Sequence, residues 1–137
     1  MIGVLIITHG NLGHELLKAA EMIKGDMQGI IPVSLDANTG VEDIKKEITS
    51  AIKKADSGEG VLIMTDLFGG TPSNISLSFL NEKKVEVVTG VNLPMLLKIS
   101  DLRDDKKKLA EFANLVKVYG RKNIYLASEI LNRKAGD

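Results

Sequence analysis

Cysteine is absent from this chain of 137 residues, so neither a disulfide framework nor a thiolate metal site can be built from it. Two histidines leave too few ligands for a structural zinc site. Net charge is also missing: 18 Lys and Arg balance 18 Asp and Glu, which removes the electrostatic footprint expected of a nucleic-acid binder or of a protein held on an anionic membrane surface. No apolar run approaches the ~20 residues needed to cross a bilayer. The opening MIGVLIITHG lacks the positive start and the small-residue cleavage site of a secretion signal. The expectation is a cytoplasmic protein without direct membrane insertion. There is no G-x-S-x-G elbow for a serine hydrolase. The first strand-end has no acid before Glu15, so the magnesium site of a receiver domain is missing too. No repeat, low-complexity tract or linker divides the chain, and its length suits one domain.

Hydrophobic residues make up 44% of the chain, and their spacing alternates between two periods. Val4–Ile7 is a short unbroken apolar run that stops at His9 and Gly10, as a buried strand does. Leu12, Leu16, Leu17, Ala20 and Ile23 then share one helical face, with Gly25 as its stop. Gly29–Leu35 has strand composition, and Pro32 within it points to an edge position. Val41, Ile44, Ile48 and Ile52 predict a second helix, with acids in its first turn and lysines in its last. Val61–Met64 is the next strand. Thr71 and Pro72 read as N-cap and first position of a helix to about Leu80. Val85–Thr89 is a fourth strand, and a short helix begins near Leu93. Asp104 and Asp105 read as the start of a helix that carries Leu109, Phe112, Ala113 and Val116 inward and stops at Gly120. Asn123–Ala127 reads as a last short strand, and Asn132–Asp137 as a polar tail outside a domain of residues 1–131. The methionines Met22, Met27, Met64 and Met95 read as core. Strands alternating with helices in this way predict an α/β fold, doubly wound around a mostly parallel sheet.

Ligands and chemistry collect outside the carboxyl ends of the strands in such folds. Three strand-ends here carry unusual polar residues: His9, Asp66 and Asn92. If the first and third strands are neighbours, His9 and Asp66 face one another. A carboxylate that accepts one imidazole N–H fixes the tautomer and leaves the other nitrogen as a nucleophile. Gly69, Gly70 and Thr71 would then offer backbone N–H groups and a hydroxyl to a phosphoryl group. The residues alone equally allow a structural histidine, an aspartate that caps a turn and a plain tight turn at the two glycines. His14, in the first turn of its helix, reads as solvated or as a contact to a partner.

Three blocks together, THG at Thr8–Gly10, DLFGGTP at Asp66–Pro72 and GVNLPML at Gly90–Leu96, resemble the IIA domain of the mannose-family sugar phosphotransferase system. The resemblance implies a phosphohistidine phosphocarrier that works without metal or organic cofactor. It would be charged by the phosphocarrier protein HPr and discharged by a separate IIB protein for sugar uptake. His9 would be the phosphorylated residue and Asp66 its hydrogen-bonded carboxylate. Phe68, Asn92, Leu93, Pro94 and Met95 would form the docking rim. It further implies five strands in the order 2-1-3-4-5, with the last antiparallel and exchanged across a homodimer, and a place beside a membrane sugar permease. Two alternatives share the architecture. One is the phosphoryl-donor subunit of dihydroxyacetone kinase, the other a binding module regulated by its phosphorylation.

Overall fold

A computed structural model describes residues 1–36, 38–80, 84–103 and 105–136, with side chains as far as Asn132. The elements run β1 (Gly3–His9), α1 (Leu12–Lys24), β2 (Ile30–Leu35), α2 (Val41–Ala55), β3 (Val61–Thr65), α3 (Thr71–Leu77), β4 (Val85–Thr89), α4 (Leu93–Leu102), α5 (Leu109–Lys122) and α6 (Ala127–Gly136). Four strands form one parallel sheet in the order β2-β1-β3-β4. The chain therefore winds outward from β1 in both directions, and the reversal falls between β1 and β3.

Alternation along each strand divides the core into two layers. Val4, Ile6, Leu62 and Met64 pack with Leu96, Ile99, Phe112 and Val116, so α1, α4 and α5 cover this face. Leu5, Ile7, Val33 and Ile63 pack with Ile44, Ile48, Ile52 and Ile75 beneath α2 and α3. Each fully buried isoleucine of α2 contributes about 1.5–3 kcal/mol relative to exposure. None of the helices described is long and apolar enough to cross a membrane.

Pro32 stands in an edge strand, as its missing N–H requires. The β1 amides Val4 N–H and Gly10 N–H donate to Gly29 O and Leu35 O, so the odd residues of β2 face β1 and Pro32 turns outward. Other expectations need correction. Leu12 and Ile23 remain exposed because α1 lies on the sheet through a narrower stripe of Gly13, Leu16, Leu17 and Ala20. Met22 is 87% exposed, whereas Met27, Met64 and Met95 are buried. The N-cap of α3 is Gly70, one residue earlier than expected. The helix ends at Leu77, where its continuation tightens into bonds from Ser78, Phe79 and Leu80 N–H to carbonyls three residues back.

Asp105 lies outside any helix, and Asp104 lies outside the described residues; α5 begins only at Leu109. It runs through Gly120 to Lys122 because Gly120 is buried against Met95 of α4, where a side chain would collide. Within the single chain the segment Asn123–Ala127, expected as an exchanged fifth strand, pairs with no strand of its own sheet. Asn123 caps α5 with its side-chain amide donating to Tyr119 O, Ile124–Leu126 pair with no strand among the described residues, and Ala127 opens α6. A strand exists only by pairing, and this segment has no edge against it. The expected polar tail is also helical as far as Gly136.

Candidate functional site

His9 is the last residue of β1 and its side chain is 54% exposed. Alternation from Leu5 and Ile7 turns it toward the α2/α3 layer, while Thr8 faces α1. The Thr8 hydroxyl oxygen, fully buried, accepts a hydrogen bond from Gly13 N–H at 2.9 Å and so fixes where α1 begins. Gly10, at φ +54°, makes the turn between strand and helix that a side chain would strain.

Asp66 follows β3 by one residue, and pairing of β1 with β3 brings it beside His9. Its Oδ2 accepts from His9 N–H at 2.9 Å and lies 2.7 Å from His9 Nδ1; its Oδ1 accepts from Leu67 N–H at 3.0 Å. The carboxylate side chain is only 9% exposed. Burial by itself raises its pKa, but the His9 backbone N–H, the His9 ring and the Leu67 N–H together outweigh burial and hold it below the usual carboxylate value. An ionised Asp66 next to Nδ1 makes that nitrogen the proton carrier. Nε2 is left as the nitrogen with a free lone pair.

Nε2 faces the start of α3. A methyl group on Gly70 would lie 3.1 Å from His9 Cε1 and 3.7 Å from Nε2, so the absence of a side chain there keeps the ring edge accessible. Gly69 takes φ +89°, which aims the chain into α3. Thr71, exposed and first in the helix, and Pro72 line the same opening. Beside the ring is a cavity of about 840 Å³ lined by His9, Asn11, Ser34, Asp36, Thr39 and Thr71, with Val41, Ile44 and Pro72 among its apolar contacts. Among the described residues no lysine or arginine lines it.

The structure thus brings His9, Asp66, Gly70 and Thr71 together, with Gly69 in the connecting turn. Phe68 is 72% exposed next to them, and Leu93 and Pro94 are half-buried. Met95, expected on the rim, is instead 4% exposed and packed into the core, because the first turn of α4 carries it inward against Gly120. Asn92 has structural work: its Oδ1 caps α4 by accepting from Met95 N–H, and its Nδ2 donates to Gly120 O of α5. Asn11, Ser34, Asp36 and Thr39 escaped the sequence reading. The available signal was Ser34, a polar residue between Val33 and Leu35, which the strand register sets opposite Thr8.

The geometry has counterparts in known proteins. Residues 3–117 match the family described as EIIA-man, PTS system fructose IIA component. The fructose-specific EIIA component of the PTS system of Bacillus subtilis (strain 168) is 31% identical over 134 residues, which cover 97% of this chain and 91% of that protein. The mannose-specific EIIAB component of Escherichia coli (strain K12) is 32% identical over 124 residues, which cover 90% of this chain and 38% of that longer protein. Among solved structures, the phosphotransferase system component EIIA from Streptococcus agalactiae superposes with a TM-score of 0.85 at 26% identity, covering 94% of this chain and 99% of that one.

Proposed function

The chain belongs to the EIIA-man family of sugar phosphotransferase IIA components, and on that premise we propose that His9 is its phosphoryl carrier, charged by HPr and discharged to a IIB protein. One observation carries the assignment of the residue. His9 Nδ1 sits 2.7 Å from an ionised Asp66, so the ring is held in the tautomer whose Nε2 lone pair looks into the cavity.

In the transfer step the Nε2 lone pair forms the new bond to phosphorus. The bond from phosphorus to the donor breaks, and its electron pair leaves with the donor. No proton has to move, because Nδ1 keeps its hydrogen toward Asp66 and the carboxylate balances the positive charge that develops on the ring. Backbone N–H groups at Gly70 and Thr71 and the Thr71 hydroxyl receive the phosphoryl oxygens. Neither a metal nor an organic cofactor takes part. Phe68, Leu93 and Pro94, with the exposed Leu67, form the apolar surface on which donor and acceptor dock in turn.

We extend the same reading to assembly. β4 ends the sheet with one border free among the described residues, and Ile124, Tyr125 and Leu126 form an exposed apolar arm. In a homodimer the arm of each protomer becomes the fifth strand, antiparallel to β4 of its partner. The IIA unit then reaches residue 131, and it works in the cytoplasm beside a membrane sugar permease.

The test is intact-protein mass after incubation with phosphoenolpyruvate, enzyme I and HPr. Wild type should gain one acid-labile phosphoryl group and His9→Ala none. A folded wild type that gains nothing, or a His9→Ala variant that still gains it, overturns the assignment.

A further inference from the structure

Asn11 occupies the N-cap of α1, where an asparagine side chain ordinarily accepts a hydrogen bond from the first turn of its helix. Here it makes no such bond. Its Oδ1 instead accepts from the Ser34 hydroxyl at 3.1 Å, and Ser34 Oγ is also 3.0 Å from Nδ1 of His14. Three side chains from two elements are thereby joined, and two of them, Asn11 and Ser34, line the cavity that holds His9.

Hydrogen counting makes this a two-setting device, because a serine hydroxyl has one proton to give. When Ser34 donates to Asn11 Oδ1, as in this structure, Nδ1 of His14 has to carry its own hydrogen and donate to Ser34 Oγ. The Asn11 Nδ2 group is then free as a donor. When Nδ1 of His14 is bare, Ser34 donates to it, and Asn11 satisfies the serine oxygen only by turning its NH2 inward and leaving its carbonyl oxygen outward. The backbone is the same in both settings. What changes is the polarity of one group on the cavity wall.

We propose that Asn11, Ser34 and His14 form a hydrogen-bond relay that reports the phosphorylation of His9, a phosphoryl group in the cavity selecting the setting in which Asn11 presents a donor and His14 Nδ1 is protonated. The inference rests on the carrier reading of His9. Its physical basis is the charge of the cavity: among the described residues the lining contains no lysine or arginine and one carboxylate, Asp36, so a phosphoryl group arriving there favours every neutral donor that can turn toward it. Linkage requires the converse as well, since whatever protonates His14 Nδ1 stabilises the phosphorylated form. His14 shares its helix with the Glu15–Lys18 pair, 3.4 Å apart, and Asp36 lines the cavity on the β2 side. Asn11 and Ser34 are positioning residues in this scheme, and His14 is the readout.

The experiment follows ring 15N signals of histidine-labelled protein at one fixed pH, before and after phosphorylation by phosphoenolpyruvate, enzyme I and HPr. In wild type the unphosphorylated protein should populate both settings, and phosphorylation should complete the move of the His14 Nδ1 signal to the protonated position. In Ser34→Ala and Asn11→Ala the relay is cut, and that movement should fall to less than half. Asn11→Asp, which sets a carboxylate where the donor belongs, should slow phosphoryl acceptance about tenfold. A His14 signal unaffected by phosphorylation overturns the relay. So does an equal response in Ser34→Ala, which would mean that His14 senses the phosphoryl charge directly through space. A wild type that takes up no phosphate at His9 overturns the carrier reading and the relay with it, whereas uptake with a silent His14 overturns the relay alone.

Discussion

Oδ2 of Asp66 faces both nitrogens through which His9 can bind it, the backbone N–H at 2.9 Å and ring Nδ1 at 2.7 Å. One oxygen therefore fixes the end of β1 and the orientation of the imidazole together. The second oxygen is held by Leu67 N–H, so the carboxylate cannot rotate without losing a partner.

Replacing Asp66 with Asn separates charge from position. The amide oxygen can still accept from the backbone, but it carries no charge to balance the ring in the transfer step. Phosphoryl acceptance should fall at least about tenfold, because the amide can present its NH2 to Nδ1 and select the wrong tautomer. Quenched-flow measurement of His9 phosphorylation tests this. An unchanged rate would reduce Asp66 to an anchor for the turn.

The depressed pKa of Asp66 sets the direction of a stability effect. A carboxyl that is more acidic in the folded state than its ordinary value of 3.8 stabilises the fold wherever it is ionised in both states, and that stabilisation disappears as pH falls through the lower folded-state value. The difference in urea midpoint between wild type and Asp66→Asn should be constant above about pH 5 and close below 3.8. A gap that widens on acidification would contradict the assigned direction.

Gly70→Ala probes access to Nε2. Gly70 has φ −83°, so alanine fits the backbone, but its methyl group would crowd His9 Cε1 at 3.1 Å. Stability should change by less than about 1 kcal/mol. Phosphoryl acceptance should fall at least about tenfold, because a displaced ring loses its line of approach. Loss of both stability and acceptance together would point to a disturbed α3 rather than to a blocked nitrogen.

Gly3→Ala and Gly120→Ala should rank by what their methyl groups meet. At Gly3 the new carbon falls 2.7 Å from the carbonyl carbon of Ala55, part of a backbone that cannot rotate aside. At Gly120 it meets the flexible side chain of Met95, 2.7 Å from Cγ. Both overpack, at about 1–3 kcal/mol, with Gly3 at the upper end or beyond. Denaturant unfolding decides the order, and a reversal would mean that α2 yields more easily than Met95.

Light scattering tests the proposed assembly. Wild type at micromolar concentration should have the mass of two chains, and Ile124→Asp with Leu126→Asp should have the mass of one while keeping the helical signal. A monomeric wild type would remove strand exchange.

Much of this fold is readable in the sequence because its information is local. Val85–Thr89 is bounded by a lysine and a glycine and forms a strand over those same residues. Ile44, Ile48 and Ile52 recur at helical spacing and all are buried. His9 and Asp66 could be paired on paper because both close apolar runs, although only strand order makes them neighbours. The C-terminal segment is legible for its composition but not for its pairing: Ile124–Leu126 reads as a strand, and within one chain it has no partner edge among the described residues. Asp105 failed because acids before a helix suit many loops as well, and α5 starts at Leu109 with no side chain capping it. Asn11 and His14 are joined only through Ser34, twenty or more residues away in sequence and set opposite Thr8 by register.

The sheet has two unlike borders. Pro32 turns its missing N–H outward along β2, whereas β4 carries no proline. A strand arriving at β2 would find a gap in its ladder, and one arriving at β4 would not. In the proposed homodimer the partner's arm would cover the β4 border and leave the proline-interrupted β2 border as the outer one. Association through exchanged arms would then close on itself as a pair and would not run on into fibres.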